Sequence, residues 1–303
     1  MWDHFDPRSV ESRDRDAFDA RERSMDPRDV FADGLDLPRG LERERVHVNG
    51  HDYELRGSEA RTLATIGAFR VVPLDDLRDE RGRPPDRWHG DIEHLRSAGL
   101  IRVIAPLDRR GQRTTIVALT DRGRQLLETH RVRDAESRQS FYHGLVKPRE
   151  LAHDSQLYRA YLRTAERLAS QDARVTRVVL DYELKRQYQR FLQARNCQRS
   201  ESDGRPTRSA GEIRDWANEH RLPVHENKVQ FPDFRVEHEW PDGRRDIEDV
   251  EVTTPHYRGA HAASKARAGF TTFRSGGSRV GGGNSKGGGG RTSDPHLAEE
   301  FLG

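Results

Sequence analysis

The sequence predicts a mixed chain of the α+β or α/β class, with two folded domains between charged or glycine-rich ends. Three observations carry this. Helical and strand-like periods alternate from about residue 46 onward. The 303 residues are enough for about two domains of roughly 150 each. Hydrophobic residues make up only 33% and charged residues 34%, so part of the chain is expected to stay unpacked.

Residues 1–45 are dense in Asp, Arg and Glu without a lasting apolar period, and read as a mostly disordered charged arm or as a short arm that orders on a partner. Val46–Leu55 reads as a hairpin, because Asn49-Gly50 supplies the positive φ angles of a type I′ turn. Ser58 is the expected N-cap of a helix carrying Ala60, Leu63, Ala64 and Ile66, which Pro73 ends. Leu74–Leu77 starts a short second helix. A third carries Trp88, Ile92 and Leu95 on one face and stops at Gly99. Ile101–Ala105 and Thr114–Leu119 are β-rich runs around a basic turn at Leu107–Arg113, and Thr120 caps a further helix with Leu126 and Leu127.

The order helix, helix, helix, strand, basic turn, strand, helix resembles a winged helix-turn-helix over residues 46–130. Leu95–Ile101 before the wing and Leu119–Leu127 after it carry the resemblance. It implies binding to double-stranded DNA, with the third helix in the major groove and the wing on backbone or minor groove. The candidate DNA contacts are Arg87, His94 and Arg96 on or beside that helix, with His89 near them, and Arg109, Arg110 and Arg113 at the wing tip. Asp91 and Glu93 on the same helix favour a plain solvated surface for part of it. The net charge is only +2, with a pI near 8.8, but the basic residues are nearly all Arg, which suits bidentate phosphate and guanine contacts.

A charged connector is expected over 131–148, then a second domain over 149–274. It should comprise a long helix from Arg149 to Ser170, a strand over Val175–Leu184, helices over Lys185–Arg195 and Ser209–His220, and strands over Val229–Trp240 and Asp246–Thr254 joined by the Pro241-Asp242-Gly243 turn. Residues 275–303 read as a flexible tail, with nine glycines between 275 and 291, and Pro295–Leu302 as a small docking helix.

Pro232-Asp233 opens one strand, and Glu251 lies eighteen residues on in the next. Period two puts Asp249 and Glu251 on one face, while Val250 and Val252 point into a core. Adjacent antiparallel strands therefore bring Asp233, Asp249 and Glu251 to one edge, where their repulsion is relieved either by a divalent cation or by hydration on a solvated strand face. Mg²⁺ takes one or two carboxylates plus water and phosphate.

These residues resemble the restriction-endonuclease-like fold, whose signature is Pro-Asp, then Asp or Glu, any residue, and Lys. Thr253 stands where the lysine belongs. The resemblance implies Lys265, on the following segment, as its substitute, and Glu183 as the extra upstream acid. The whole layout, including His153-Asp154 at the long helix, is similar over roughly residues 50–275 to the replication-relaxation family of plasmids and conjugative elements. That implies kinship with relaxases that nick at an origin of transfer. Catalysis would fall to Asp233, Glu251, Lys265 and Glu183, with Asp233 and Glu251 holding Mg²⁺ or Mn²⁺. Other mobilisation or replication proteins would be partners.

The alternative is a non-catalytic replication accessory or transcriptional repressor on the same scaffold. A third reading makes the long helix a dimerisation element. His256 and His261 are poorly spaced for zinc on one helical face. Tyr257 has nothing to activate it as a nucleophile. The single Cys197, the absence of an apolar leader and the absence of an apolar run of spanning length point to a cytoplasmic chain that does not enter a membrane.

Overall fold

The computed structural model describes residues 26–77, 90–105, 114–132, 139–144, 148–194, 208–253 and 268–274. It is a mixed α and β structure of helices and several sheets. Two compact units form. The first reaches to Tyr158 and includes Leu162–Val175, and the second takes Arg159–Tyr161 and the residues from Thr176 on. Among the described residues no helix is long and apolar enough to cross a membrane.

The first unit opens with α1 (Asp29–Ala32), and here the expectation for residues 1–45 needs correction. Phe31, Leu35 and Leu37 are buried. Phe31 meets Phe69 edge-on at 5.4 Å, and Leu35 bridges to Arg131. The charges between these apolar residues hide any period, but they neutralise one another in place. Asp26 takes the Arg28 guanidinium at 2.6 Å, and Arg61 reaches Asp29 at 2.6 Å and Asp26 at 3.3 Å. Residues 1–25 lie outside the described residues.

Strands β1 (Glu44–Val48) and β2 (His51–Leu55) form the expected hairpin, with Asn49 at φ 48° and Gly50 at φ 77°. Helix α2 (Gly57–Ala68) begins one residue before the anticipated cap. Its entry is held by Glu59, whose Oε2 accepts the Arg56 N–H at 3.0 Å, instead of by Ser58. A Cβ on Gly57 would stand 2.3 Å from the Arg39 carbonyl oxygen, so only glycine lets the two backbones approach this closely.

After α2 comes a short strand that no period announces, β3 (Val71–Pro73), then a 3-10 turn at Leu74–Asp76. Helix α3 (Asp91–Ser97) buries Ile92 and Leu95 and closes at Gly99, φ 71°. Strands β4 (Ile101–Ile104) and β5 (Ile116–Leu119) are antiparallel, and β3 joins β5 on its other side to give the order β3-β5-β4. Helix α4 (Asp121–Thr129) starts as anticipated, with Thr120 Oγ1 accepting the Gly123 N–H at 3.1 Å.

The long helix α5 (Pro148–Ala169) is expected from the sequence to open the second domain, but falls largely in the first unit. Leu151 packs on Val71, Ile116 and Ala118. Arg70 reaches Asp154 at 3.2 Å, and Tyr158 meets Phe69 at 5.2 Å. That burial pushes the Tyr158 hydroxyl pKa upward.

The second unit is built on β6 (Arg174–Leu180), β9 (Phe234–Glu239), β10 (Arg245–Thr253) and β11 (Thr271–Arg274), in the order β11-β10-β9-β6. Strands β9 and β10 are antiparallel, while β10 and β11 are parallel. Between β6 and β9 come α6 (Asp181–Gln193), α7 (Ala210–Glu219) and the small hairpin β7 (Val224–His225) and β8 (Lys228–Val229). Ser209 and Glu212 form a capping box at α7. A core of Val179, Leu184, Trp216, Ala217 and Leu222 gathers these elements.

Two strand expectations change. β6 stops at Leu180, where the Asp181 N–H turns to the Asp233 carbonyl and an acidic first turn begins α6. The run Val229–Trp240 divides, because Pro232 carries no N–H to continue a ladder.

Candidate functional site

Asp233 stands at the entry to β9, fixed on both sides. Its N–H donates to the Val250 carbonyl at 3.0 Å, and its own carbonyl accepts the Asp181 N–H at 3.0 Å. Its Oδ2 accepts the Val252 N–H at 2.7 Å. Glu251 lies on β10 between Val250 and Val252 and is 2% exposed, so it is not a carboxylate on a solvated strand face. A buried acid in a strand requires compensation.

Asp249 behaves differently from the expectation that groups it with Asp233 and Glu251. Strand register sets it opposite Arg235, which grips it with Nε to Oδ1 at 2.7 Å and Nη2 to Oδ2 at 2.9 Å. The same guanidinium donates to the His220 carbonyl at 2.7 Å and the Arg221 carbonyl at 3.3 Å, just past α7. Asp249 is therefore neutralised by protein.

Glu183 lies in the first turn of α6, not in a strand, and is 6% exposed. Arg177 on β6 donates to its Oε1, while Oε2 is buried and has no hydrogen-bond partner among the described residues. Arg177 also stands 3.7 Å from Glu237.

Backbone hydrogen bonds thus stitch Asp233 to the start of α6, where Glu183 sits, and to β10, where Glu251 sits. Among the described residues no three His, Cys, Asp or Glu side chains close on a common metal position. Mg²⁺ and Mn²⁺ need only one or two protein carboxylates beside water and phosphate, and the donors here are hard oxygens, one of them an orphaned buried atom, so the residue types fit. Lys265, His256, Tyr257 and His261 lie outside the described residues.

In the first unit, His94 turns toward the protein. Its Nδ1 is 2.9 Å from Glu59 Oε1. Glu59 also holds the Arg43 guanidinium at 2.7 Å and the Arg56 N–H. Burial pushes the Glu59 carboxyl pKa up, but Arg43, the Arg56 N–H and His94 outweigh it and leave the group below its ordinary value. Arg96 is exposed and pairs with Glu93 at 2.7 Å, and Arg56 pairs with Asp91 at 2.6 Å. The charges of α3 are thus largely matched within the unit. Arg87, His89, Arg109, Arg110 and Arg113 lie outside the described residues.

Sequence reasoning missed Arg177 and Arg235. The signal for Arg235 was present: it follows Asp233 at period two and faces Asp249 once the Pro241-Asp242-Gly243 turn sets the register. Comparison of the chain with family models, with curated proteins and with solved structures finds no match in any of the three.

Proposed function

We propose that the chain is a DNA-binding protein of a mobile element, with a winged helix-turn-helix in the first unit and a metal-dependent, restriction-endonuclease-like nicking domain in the second. One observation carries the second part. The strand order β6-β9-β10-β11, antiparallel between β9 and β10 and parallel between β10 and β11, sets Asp233 at the entry to β9 and Glu251 within β10, the two inner strands. A sheet that buries the Glu251 carboxylate beside the strand that Asp233 opens serves charge chemistry better than packing.

The first part is supported by the order α2, β3, 3-10 turn, α3, β4, β5, with the sheet order β3-β5-β4. In this reading the connection between β4 and β5 is the wing and carries Arg109, Arg110 and Arg113 to the phosphates of double-stranded DNA.

When bound, Mg²⁺ or Mn²⁺ supplies an activated water and stabilises the leaving oxygen of phosphodiester cleavage. Asp233 and Glu251 would hold it. The Val252 N–H orients one Asp233 oxygen, and Lys265 stabilises the charge that develops on the phosphate. The setting is cytoplasmic, beside other mobilisation or replication proteins.

A second reading keeps the scaffold and drops the chemistry, leaving a replication accessory or repressor. Thr253 favours it: the residue at the lysine position gives its hydroxyl to the Phe273 carbonyl at 3.3 Å, a purely structural bond. Cleavage of supercoiled plasmid with Mg²⁺ or Mn²⁺, beside Asp233→Ala and Glu251→Ala, separates the two readings.

A further inference from the structure

Among the described residues, the ion pair between Arg177 and Glu183 leaves a buried atom on each partner without a hydrogen bond. Arg177 Nη2 donates to Glu183 Oε1, and Gln187 Nε2 approaches the same oxygen at 3.5 Å. Glu183 Oε2 and Arg177 Nε are both buried and have no hydrogen-bond partner among the described residues. Native interiors pair nearly all such atoms, and a buried exception calls for an explanation, such as a bound water or ion. A carboxylate fixed through one oxygen while the other stays open is the arrangement in which an outer group orients a metal-site acid.

The position agrees. Glu183 is two residues beyond Asp181, whose N–H bonds the Asp233 carbonyl, so its turn is tied to the entry of β9. Arg177 is itself steadied by Glu237 on β9, which limits its swing.

We propose that Arg177 is the positioning residue of Glu183, fixing Oε1 so that Oε2 accepts a hydrogen bond from a water of a divalent cation held at Asp233 and Glu251. This rests on the metal-dependent reading of the second unit. Arg177 touches neither substrate nor cation; it acts through Glu183.

Calorimetric titration of the full chain with Mn²⁺ alone tests it, with thermal unfolding of each variant recorded without metal. Arg177→Gln is expected to weaken Mn²⁺ binding about tenfold, as loss of such an outer partner typically does. Arg177→Lys, which keeps a donor and the charge, recovers most of that loss. Glu183→Gln weakens binding as well, and the double variant binds no worse than Glu183→Gln alone, because one residue acts through the other. Wild-type affinity in Arg177→Gln, or losses that multiply in the double variant, overturns the proposal. Should Arg177→Gln not fold, Glu183→Gln decides: unchanged Mn²⁺ affinity there overturns it equally. Asp233→Ala separates this from the parent reading. If the wild type does not bind Mn²⁺, or binds it no better than Asp233→Ala, the metal-dependent reading fails and the proposal fails with it. Loss in Asp233→Ala with Arg177→Gln intact defeats the Arg177 assignment alone.

Discussion

Arg235 on β9 holds Asp249 on β10 through two parallel hydrogen bonds of 2.7 and 2.9 Å, and gives two further donors to the carbonyls of His220 and Arg221. One buried guanidinium therefore neutralises a strand acid and ties the end of α7 to the sheet. Arg235→Ala strands the Asp249 charge and is expected to lower stability by about 3–5 kcal/mol. Asp249→Asn costs less, and Arg235→Met with Asp249→Leu recovers much of the loss. Urea unfolding of the four proteins checks the order. Equal stability of Arg235→Ala and wild type would contradict it.

Gly57 and Gly123 invert the usual helix rule. Alanine inside a helix normally gains about 1 kcal/mol over glycine. Here a Cβ would stand 2.3 Å from the Arg39 carbonyl oxygen at Gly57 and 2.2 Å from the Leu100 carbonyl oxygen at Gly123. Gly57→Ala and Gly123→Ala are each expected to destabilise by about 1–3 kcal/mol through overpacking, read as a fall in melting temperature.

Asp29 gives the first unit a pH dependence. Burial pushes its carboxyl up to about 6; Arg61 opposes that shift, and Asp26 and Asp33 add to it. The folded state then keeps a proton that the unfolded chain releases near the ordinary value of 3.8. This contribution is full below that value and is lost as pH rises through about 6. Asp26 runs the other way. Burial raises its pKa, but Arg28 and Arg61 outweigh burial and lower it, so its contribution disappears only on stronger acidification. The Asp29 contribution should therefore fall from about pH 4 to about pH 6, against the opposite slope of the lowered carboxyls. Asp29→Asn should remove that falling component, read as a stability difference between wild type and variant that shrinks across the range in urea midpoints. An unchanged slope in the variant contradicts the assignment.

The DNA-binding reading separates two groups of arginines. Arg96 is matched by Glu93, so Arg96→Ala should leave affinity for double-stranded DNA nearly unchanged. Arg109, Arg110 and Arg113 crowd the connection between β4 and β5. Their joint replacement by alanine should weaken binding and reduce the salt slope by about 0.9 for each phosphate that is no longer neutralised. Fluorescence anisotropy at several salt concentrations distinguishes the cases.

Legibility in the sequence followed the length and chemistry of each element. The Asn49-Gly50 hairpin, the Thr120 cap and the Pro241-Asp242-Gly243 turn announce themselves, because each needs particular residue types at fixed offsets. Strands β3, β7, β8 and β11 do not, since two to four residues carry no period and tertiary pairing alone defines them. The segment around Phe31 was hidden because its charges resemble a solvated arm, and only the structure pairs Asp26 with Arg28. At the candidate site, Asp233, Glu251 and Glu183 stood out as carboxylates. Arg177 and Arg235 did not, because an arginine in a strand reads as surface until its partner across the sheet is known.

The most direct test of the central claim is cleavage of supercoiled plasmid from a matching mobile element by the full chain with Mg²⁺ or Mn²⁺. The account predicts nicking by the wild type that both Asp233→Ala and Glu251→Ala lose. DNA binding without cleavage, equal in all three proteins, would contradict it and leave a DNA-binding protein on an inactive scaffold.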